Sequence, residues 1–292
     1  MERSAQMVGH YKRIAIITGA GGGIGYETAL FLARQGYRVW ATMRRDSQQQ
    51  ALAEAAEKER LHLLLRTLLL DVRSPEQIEA ARQAILEAEE AHFIGQEHPP
   101  LLCLINNAGY GVAGTVEELP IRAFREQMET NFFGALMMTK AFLPLMRETG
   151  QGRIVQISSG FGRVGAPMMS AYNASKFALE GFSEALRYEV LPHNVFVSLV
   201  EPGPVATGFN QNMDLEQPPD SPYAHLHKRA GLLARTGERI ASSASDVART
   251  VQKICEARYP SLRYEVGVAG YLAKLSNQFA PQDLVEGIYR FL

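Results

Sequence analysis

An apolar segment, Arg13 to Thr18, runs directly into Thr18-Gly19-Ala20-Gly21-Gly22-Gly23-Ile24-Gly25 and from there into a helical pattern, Gly23 to Gln35. Glycines at a strand-to-helix turn let the chain reverse sharply. They also let main-chain N–H groups at the helix N-terminus approach a pyrophosphate that no Cβ obstructs. A glycine-rich run carries little information by itself; its position between strand and helix makes it a nucleotide-binding turn. The spacing departs from Gly-x-Gly-x-x-Gly, and no Gly-Lys-Ser/Thr follows, so a dinucleotide fits better than a nucleoside triphosphate with magnesium.

The rest of the chain keeps the same alternation. Strands are predicted at Arg13 to Thr18, Arg38 to Thr42, Leu63 to Leu70, Leu101 to Asn106, Arg153 to Ser158, Val195 to Val200 and Leu262 to Val266. Helical patterns lie at Gly23 to Gln35, Ser47 to Arg60, Pro75 to His92, Ile121 to Glu148, Tyr172 to Leu191 and Ser245 to Ala257. Such a chain builds an α/β fold, a Rossmann-type doubly wound parallel sheet of about seven strands, because right-handed crossovers must pack back onto the sheet. Ile14 to Ile17 and Leu101 to Ile105 are apolar on both faces, as a sheet covered on both sides demands. Two segments break the rhythm. Pro202 to Ser243 is too long for an ordinary connection and suggests a substrate lid over residues 204–243. Residues 267–292 form a C-terminal extension that packs on the same body, so a single domain over residues 1–292 is expected.

Composition removes several functions. With 30 basic and 31 acidic residues interspersed along 292, no concentrated basic surface exists for a nucleic acid. Cys103 and Cys255, each flanked by apolar residues, read as reduced small hydrophobes in a core. No cluster of metal-ligating residues stands out, and the alternating His225 and His227 lack Cys, Asp or Glu companions, so no metal is expected. The first eleven residues lack the apolar core of a signal peptide, and Leu61 to Val72 is too short and too polar to span a membrane. A cytoplasmic protein is expected, with peripheral membrane contact left open.

Past the second strand, the run Trp40-Ala41-Thr42-Met43-Arg44-Arg45 should meet the adenosine ribose. An acid there would hold the two ribose hydroxyls of NAD, whereas arginine pairs with the extra phosphate of NADP. Arg44 and Arg45 precede the first acid, Asp46, which favours NADP(H) over NAD(H). Further on lie Ser159, Tyr172 and Lys176. Tyr172 and Lys176, four apart at a helix start, project from one face. An adjacent ammonium stabilises a phenolate and should bring its pKa toward the working range of an acid-base catalyst. With 11 tyrosines in the chain, one such pair can arise by chance; its weight comes from its place in an ordered set.

That set resembles the short-chain dehydrogenase/reductase family: Thr18-Gly-x-x-x-Gly23-x-Gly25, Asn106-Asn107-Ala108-Gly109 after strand four, Ser159 after strand five, and Tyr172-x-x-x-Lys176. Asn131 falls where the family places its fourth catalytic residue. The resemblance spans residues 12 to about 266. It implies that Tyr172 is the general acid in carbonyl reduction and the base in alcohol oxidation. Lys176 would lower its pKa and hold the nicotinamide ribose, Ser159 would bind the substrate oxygen, and Asn131 would anchor a water in the proton relay. The same resemblance implies cofactor contacts from Thr18, Gly19, Gly21, Gly22, Gly23, Ile24 and Gly25 at the turn and from Arg44 and Arg45 beyond strand two. Asp71 and Val72 would meet the adenine, Asn107, Ala108 and Gly109 would line the cofactor, and Pro202, Gly203, Val205 and Thr207 would hold its carboxamide end.

Three further stretches, Ser175 to Phe182, Glu201 to Thr207 and Pro260 to Tyr264, are similar to the subgroup containing estradiol 17β-dehydrogenase type 1 and photoreceptor-type retinol dehydrogenases. That likeness implies a lipophilic alcohol with its ketone or aldehyde, steroid- or retinoid-like, and a homodimer paired through the helices at 121–148 and 172–191. Another lipophilic carbonyl, or a scaffold that binds the cofactor without turnover, remains an alternative. Gly160, Phe161, Val164, Pro167, Met168 and Met169 are the candidate pocket wall, with the methionines open to a plain core role. Tyr223, His225 and His227 either orient a distal substrate oxygen or belong to a solvated lid.

Overall fold

Seven strands pair edge to edge, all parallel. They are β1 (Arg13–Ile17), β2 (Arg38–Met43), β3 (Leu65–Leu69), β4 (Leu101–Asn106), β6 (Gly152–Ile157), β7 (Val195–Pro202) and β9 (Arg263–Val266), in the order β3-β2-β1-β4-β6-β7-β9. The computed structural model describes residues 13–93, 100–207, 214–215, 218, 220–229, 241–268, 271 and 286–287. β1 is central: Ile14 is in register with Arg38 of β2 on one side and Leu102 of β4 on the other. The winding reverses between β1 and β4, so the chain leaves these two strands in opposite directions and opens a crevice beyond their C-terminal ends.

Alternate residues of each strand supply the two cores. Ala15, Ile17, Val39, Ala41, Ile105 and Val155 face one side, packed with α1 (Gly23–Arg34) and with α7 (Ala244–Glu256) through Val247, Val251 and Ile254. Cys103 and Cys255 are free and buried in this layer, as expected of small hydrophobes. Ile14, Ile16, Leu102, Leu104, Ile154 and Val197 face the other side. There they meet α3 (Pro75–Phe93) through Ile78 and Ile85, α5 (Gly134–Glu148) through Met138 and Phe142, and α6 (Ser170–Val190) through Leu186. The doubly wound sheet expected from the sequence is therefore the observed one. α2 (Asp46–Lys58) packs Leu52 and Ala56 into the first layer.

The structure departs from expectation in two places. The single helix anticipated over Ile121 to Glu148 is α4 (Ile121–Met128), one π-helical turn (Glu129–Phe133) and α5. The wider turn rotates Thr130 and Asn131 into the interior, and hydrophobic periodicity does not reveal a one-residue change of winding. A second, two-stranded sheet was not anticipated: β5 (Val112–Ala113) pairs in parallel with β8 (Asp214–Leu215). Through it residues 214–215 of the 204–243 segment are fixed to the chain after β4. Most of the extension over 267–292, and the segment before Arg13, lie outside the described residues.

Gly19 adopts a left-handed φ of 67°, and Gly25 lets α1 approach closely, since a Cβ there would lie 2.5 Å from the Gly19 carbonyl oxygen and closer still to the Asn107 amide. Gly25→Ala is therefore expected to destabilise the fold by about 1–3 kcal/mol through overpacking against main chain. A urea titration with unchanged slope and a lower midpoint shows this; an unchanged midpoint contradicts the close approach.

Candidate active site

The turn after β1 is stitched to the turn after β4. Thr18 Oγ1 accepts hydrogen bonds from the main-chain N–H groups of Asn107 and Ala108, each at 3.0 Å. Asn107 Nδ2 donates in return to the carbonyls of Thr18 and Gly19, at 2.9 and 3.1 Å. These side chains thus hold the turn together, and what they leave facing the crevice is main chain. The N-terminus of α1 carries no side-chain cap and no acid in its first turn. Its free N–H groups and positive dipole end are the donor set an anionic diphosphate requires. Space fits as well: nothing lies within 4 Å of a Cβ placed on Gly22, while Gln48 faces Gly21 and Thr207 faces Gly23. Gln48, not singled out from sequence, forms one wall of this cradle. The remaining residues expected around the cofactor sit at the same edge of the sheet, where Gly203 donates to the Val266 carbonyl at 3.0 Å and Val205 bridges Ser242.

Beyond β2, Arg44 and Arg45 are exposed, and Arg45 is the N-cap of α2. Asp71 is held by Arg73, whose Nε lies 3.0 Å from Oδ1 and whose second guanidinium nitrogen lies 2.6 Å from Oδ2. These bonds, chiefly, with help from the charge of Arg44, hold the Asp71 carboxyl below the usual carboxylate range. Arg73 was likewise absent from the sequence-based set. Val72 has its side chain buried against Gly134.

The four residues expected to be reactive come from three elements. Ser159 follows β6, Tyr172 and Lys176 sit in the first two turns of α6, and Asn131 sits in the π-helical turn. Ser159 caps the short 3-10 turn Gly160–Gly162 by accepting from the Phe161 N–H at 3.2 Å, and its hydroxyl also hydrogen-bonds Tyr172. Tyr172 and Lys176 are only 7% and 5% exposed. The Lys176 Nζ donates to the Ile157 carbonyl at 2.7 Å and lies 5.7 Å from the centroid of the Tyr172 ring. Burial dominates both groups: it pushes the Tyr172 phenol up to about 12, opposed by the Ser159 hydrogen bond, and pushes Lys176 down to about 8, opposed by the charge of Glu180. In this geometry the lysine does not bring the tyrosine below its ordinary value, contrary to the sequence-based expectation, because desolvation disfavours charge on both partners.

Asn131 is 1% exposed. Its Nδ2 donates to the Tyr110 carbonyl and to Ser175 Oγ at 3.0 and 3.1 Å, and its Oδ1 accepts from the Tyr110 N–H at 3.1 Å. Both amide hydrogens are thus engaged within the protein, so the side chain is a strut between the β4 turn and α6. Asn173, beside Tyr172 and overlooked in the sequence, donates to the Phe161 and Val164 carbonyls at 2.6 and 2.8 Å and accepts from the Ala166 N–H. It fixes the expected pocket wall to the helix that carries Tyr172. Within that wall Gly160 is buried, Met168 is buried at φ 64°, a core position under backbone strain, and Phe161 and Pro167 are exposed. The Phe161 ring meets Tyr172 edge to face with centroids 6.5 Å apart.

Within the 204–243 segment, Tyr223 and His227 dock on the segment after β5. Tyr223 donates to Glu117 Oε2 at 2.6 Å, and His227 Nε2 lies 2.9 Å from Glu118 Oε2, a carboxylate that also accepts from Thr115. His227 is buried and His225 exposed.

With this geometry in place, the comparisons with known proteins converge. The model of the short chain dehydrogenase family matches residues 13–218. The chain belongs to the short-chain dehydrogenase family. It is 38% identical over 263 residues to "Retinol dehydrogenase 8" of Bos taurus, covering 86% of this chain and 80% of that protein. It is 34% identical over 263 residues to "17-beta-hydroxysteroid dehydrogenase type 1" of Homo sapiens, covering 87% and 77%. Among solved structures it is similar to an actinorhodin polyketide ketoreductase variant with NADPH, at a TM-score of 0.73 and 28% identity over 90% of this chain and 97% of that one. This short-chain dehydrogenase is accordingly an oxidoreductase with a nicotinamide cofactor site. Among its described residues, no helix is long and apolar enough to cross a membrane.

The docking of His227 makes a prediction. Glu118→Ala removes the acceptor of a buried histidine, which costs about 1–3 kcal/mol of local stability. Amides 224–229 should then exchange with solvent about 5- to 150-fold faster; unchanged exchange rates contradict the latch.

Proposed function

We propose that this protein is an NADP(H)-dependent oxidoreductase interconverting a lipophilic alcohol, steroid- or retinoid-like, and its ketone or aldehyde. The observation that carries the proposal is the convergence of Ser159, Tyr172 and Lys176 at the sheet edge that also bears the uncapped glycine turn. A bound nicotinamide supplies or accepts the hydride. The residues of the chain do the rest. Tyr172, a phenol standing at about 12, is protonated at neutral pH and so is ready to donate to a carbonyl oxygen. Ser159, hydrogen-bonded to it, holds the same oxygen and stabilises developing alkoxide charge. Lys176 supplies the positive charge beside the phenol and a donor for ribose hydroxyls.

Cofactor choice rests on Arg44 and Arg45. Both are exposed just beyond β2, and Asp71, the nearby acid, is already neutralised by Arg73. A 2′-phosphate therefore meets arginine rather than a free carboxylate. Gly19, Gly21, Gly22, Gly23 and Ile24 present the turn to the diphosphate, and Pro202, Gly203, Val205 and Thr207 take the carboxamide end. An apolar substrate is supported by the exposed Phe161 ring at Tyr172 and by Pro167 on the same wall. The 38% identity to a protein named retinol dehydrogenase points the same way. We further propose one catalytic domain, a homodimer and a cytoplasmic location.

Two experiments test this reading. Tyr172→Phe should lower carbonyl reduction about 10²–10⁴-fold while NADPH binding, followed by fluorescence, stays near wild type; undiminished turnover removes Tyr172 from the mechanism. Arg44→Asp should shift the NADPH-to-NADH ratio of kcat/KM toward NADH by about 10- to 100-fold, the range of a lost charged hydrogen bond. An unmoved ratio places the 2′-phosphate elsewhere.

A further inference from the structure

Ser159 and the Pro202-Gly203 turn leave the sheet from neighbouring strands, and an ion pair joins them beyond its edge. β6 and β7 pair as far as Ile157 and Val200, and the Ser158 N–H donates to the Val200 carbonyl at 2.8 Å. Past that rung, among the described residues, no main-chain hydrogen bond links the two chains. Ser159 opens the 3-10 turn: its carbonyl accepts from the Gly162 N–H at 2.8 Å, and the Gly160 carbonyl accepts from the Arg163 N–H at 3.1 Å. Arg163 closes that turn and sends its guanidinium back to β7, where a terminal nitrogen lies 3.3 Å from Glu201 Oε1.

Glu201, the residue before Pro202, is 1% exposed. A carboxylate so deeply buried is costly unless cations neutralise it. Two do, since the same Oε1 faces Arg163 and the Nε of Arg263, each at 3.3 Å. Burial, and then the charge of Glu180, push the Glu201 carboxyl up to about 7, and the two arginines oppose the rise. Arg263 is also held on α6, by Glu180 at 3.1 Å and Glu184 at 3.0 Å. Among the described residues, Arg163 has Glu201 as its one ion-pair partner. The Ser159 turn is thus anchored on two sides. Asn173 fixes it to α6 through the Phe161 and Val164 carbonyls, and Arg163 fixes it to the end of β7. The first anchor sets Ser159 relative to Tyr172, the second relative to the Pro202-Gly203 turn.

We propose that Arg163 is a positioning residue: its ion pair with Glu201 clamps the Ser159 turn to the end of β7, and so holds a substrate oxygen on Ser159 in line with the carboxamide end of the cofactor. The proposal rests on the reading of Ser159 as the donor to that oxygen and of Pro202-Gly203 as a cofactor contact. Without the clamp, Ser159 keeps its place beside Tyr172 through Asn173 but loses its fixed place relative to the cofactor turn. The reacting step therefore slows, while cofactor binding by the glycine turn and Arg44 is untouched.

Amide hydrogen exchange reads the clamp without any substrate. In Arg163→Met the amides of Phe161 and Gly162, which donate to the Ser159 hydroxyl and carbonyl, should exchange about 5- to 150-fold faster than in wild type. The Ala166 amide, held by Asn173, should not change. Arg163→Lys, which keeps a charge facing Glu201, should recover part of the protection. Unmoved Phe161 and Gly162 amides, or an Ala166 amide moved as much as they are, overturn the clamp. Should Arg163→Met not fold, Glu201→Gln breaks the same pair from the buried side and carries the same expectations. Turnover then shows whether the clamp acts through Ser159, with the fastest-reduced carbonyl of a steroid, retinoid and aromatic ketone panel. Arg163→Met should lose up to about 10²-fold in kcat, the cost of a misplacement of ~1 Å, with the KM for NADPH unchanged. In a Ser159→Ala background the same substitution should cost nothing further. An equal loss in both backgrounds overturns the role of Arg163. Ser159→Ala with wild-type turnover removes Ser159 from the reaction and leaves the exchange result standing; a slow Ser159→Ala beside a wild-type Arg163→Met overturns Arg163 alone.

Discussion

Four hydrogen bonds between Thr18 and Asn107 and their neighbouring main chain hold the two central turns of the molecule together. β1 and β4 are adjacent in the sheet but their crossovers leave in opposite directions, so the turns that follow them diverge unless something ties them. With the tie in place, the free N-terminus of α1 points into the crevice from one side, and the β4 turn, braced by Asn131 through Tyr110, closes it from the other. The distance between the glycine turn and α6 is thereby set by these side chains.

Desolvation is the second constraint. Placing Tyr172 and Lys176 in the interior moves their pKa values in opposite directions, toward about 12 and about 8, because both charged forms lose hydration. Such a pair is poised for proton transfer only where neighbouring charges offset that loss. The Ser159 hydrogen bond opposes that loss on the phenol side, and the charge of Glu180 opposes it on the ammonium side.

How much of this was readable in the sequence depended on distance along the chain. The strands were legible because residues such as Ile14 to Ile17 and Leu101 to Ile105 are apolar on both faces, and a doubly covered sheet writes that pattern locally. The glycine turn and the Tyr172-Lys176 pair were legible because their chemistry needs particular residues at short spacing. The π-helical turn at Glu129–Phe133 was not, since one extra residue per turn leaves little trace in periodicity. Nor were the struts. Asn131 on Ser175, Asn173 on the wall, Arg73 on Asp71 and Arg263 on Glu180 and Glu201 are ordinary polar residues until the fold brings their partners within reach. The same holds for Tyr223 and His227, which read either as substrate contacts or as a solvated lid until Glu117 and Glu118 appear beside them.

The central claim is that this site moves a hydride directly between a nicotinamide and a lipophilic carbonyl. Incubation of the wild-type protein with NADPH deuterated at the transferring position of the nicotinamide, and with steroid, retinoid and simple aromatic ketones or aldehydes, tests it by mass spectrometry of the products. One deuterium on the carbinol carbon of at least one lipophilic alcohol is the predicted result. NADPH binding with no labelled alcohol from any member of the panel would contradict it and favour a protein that binds the cofactor without turnover.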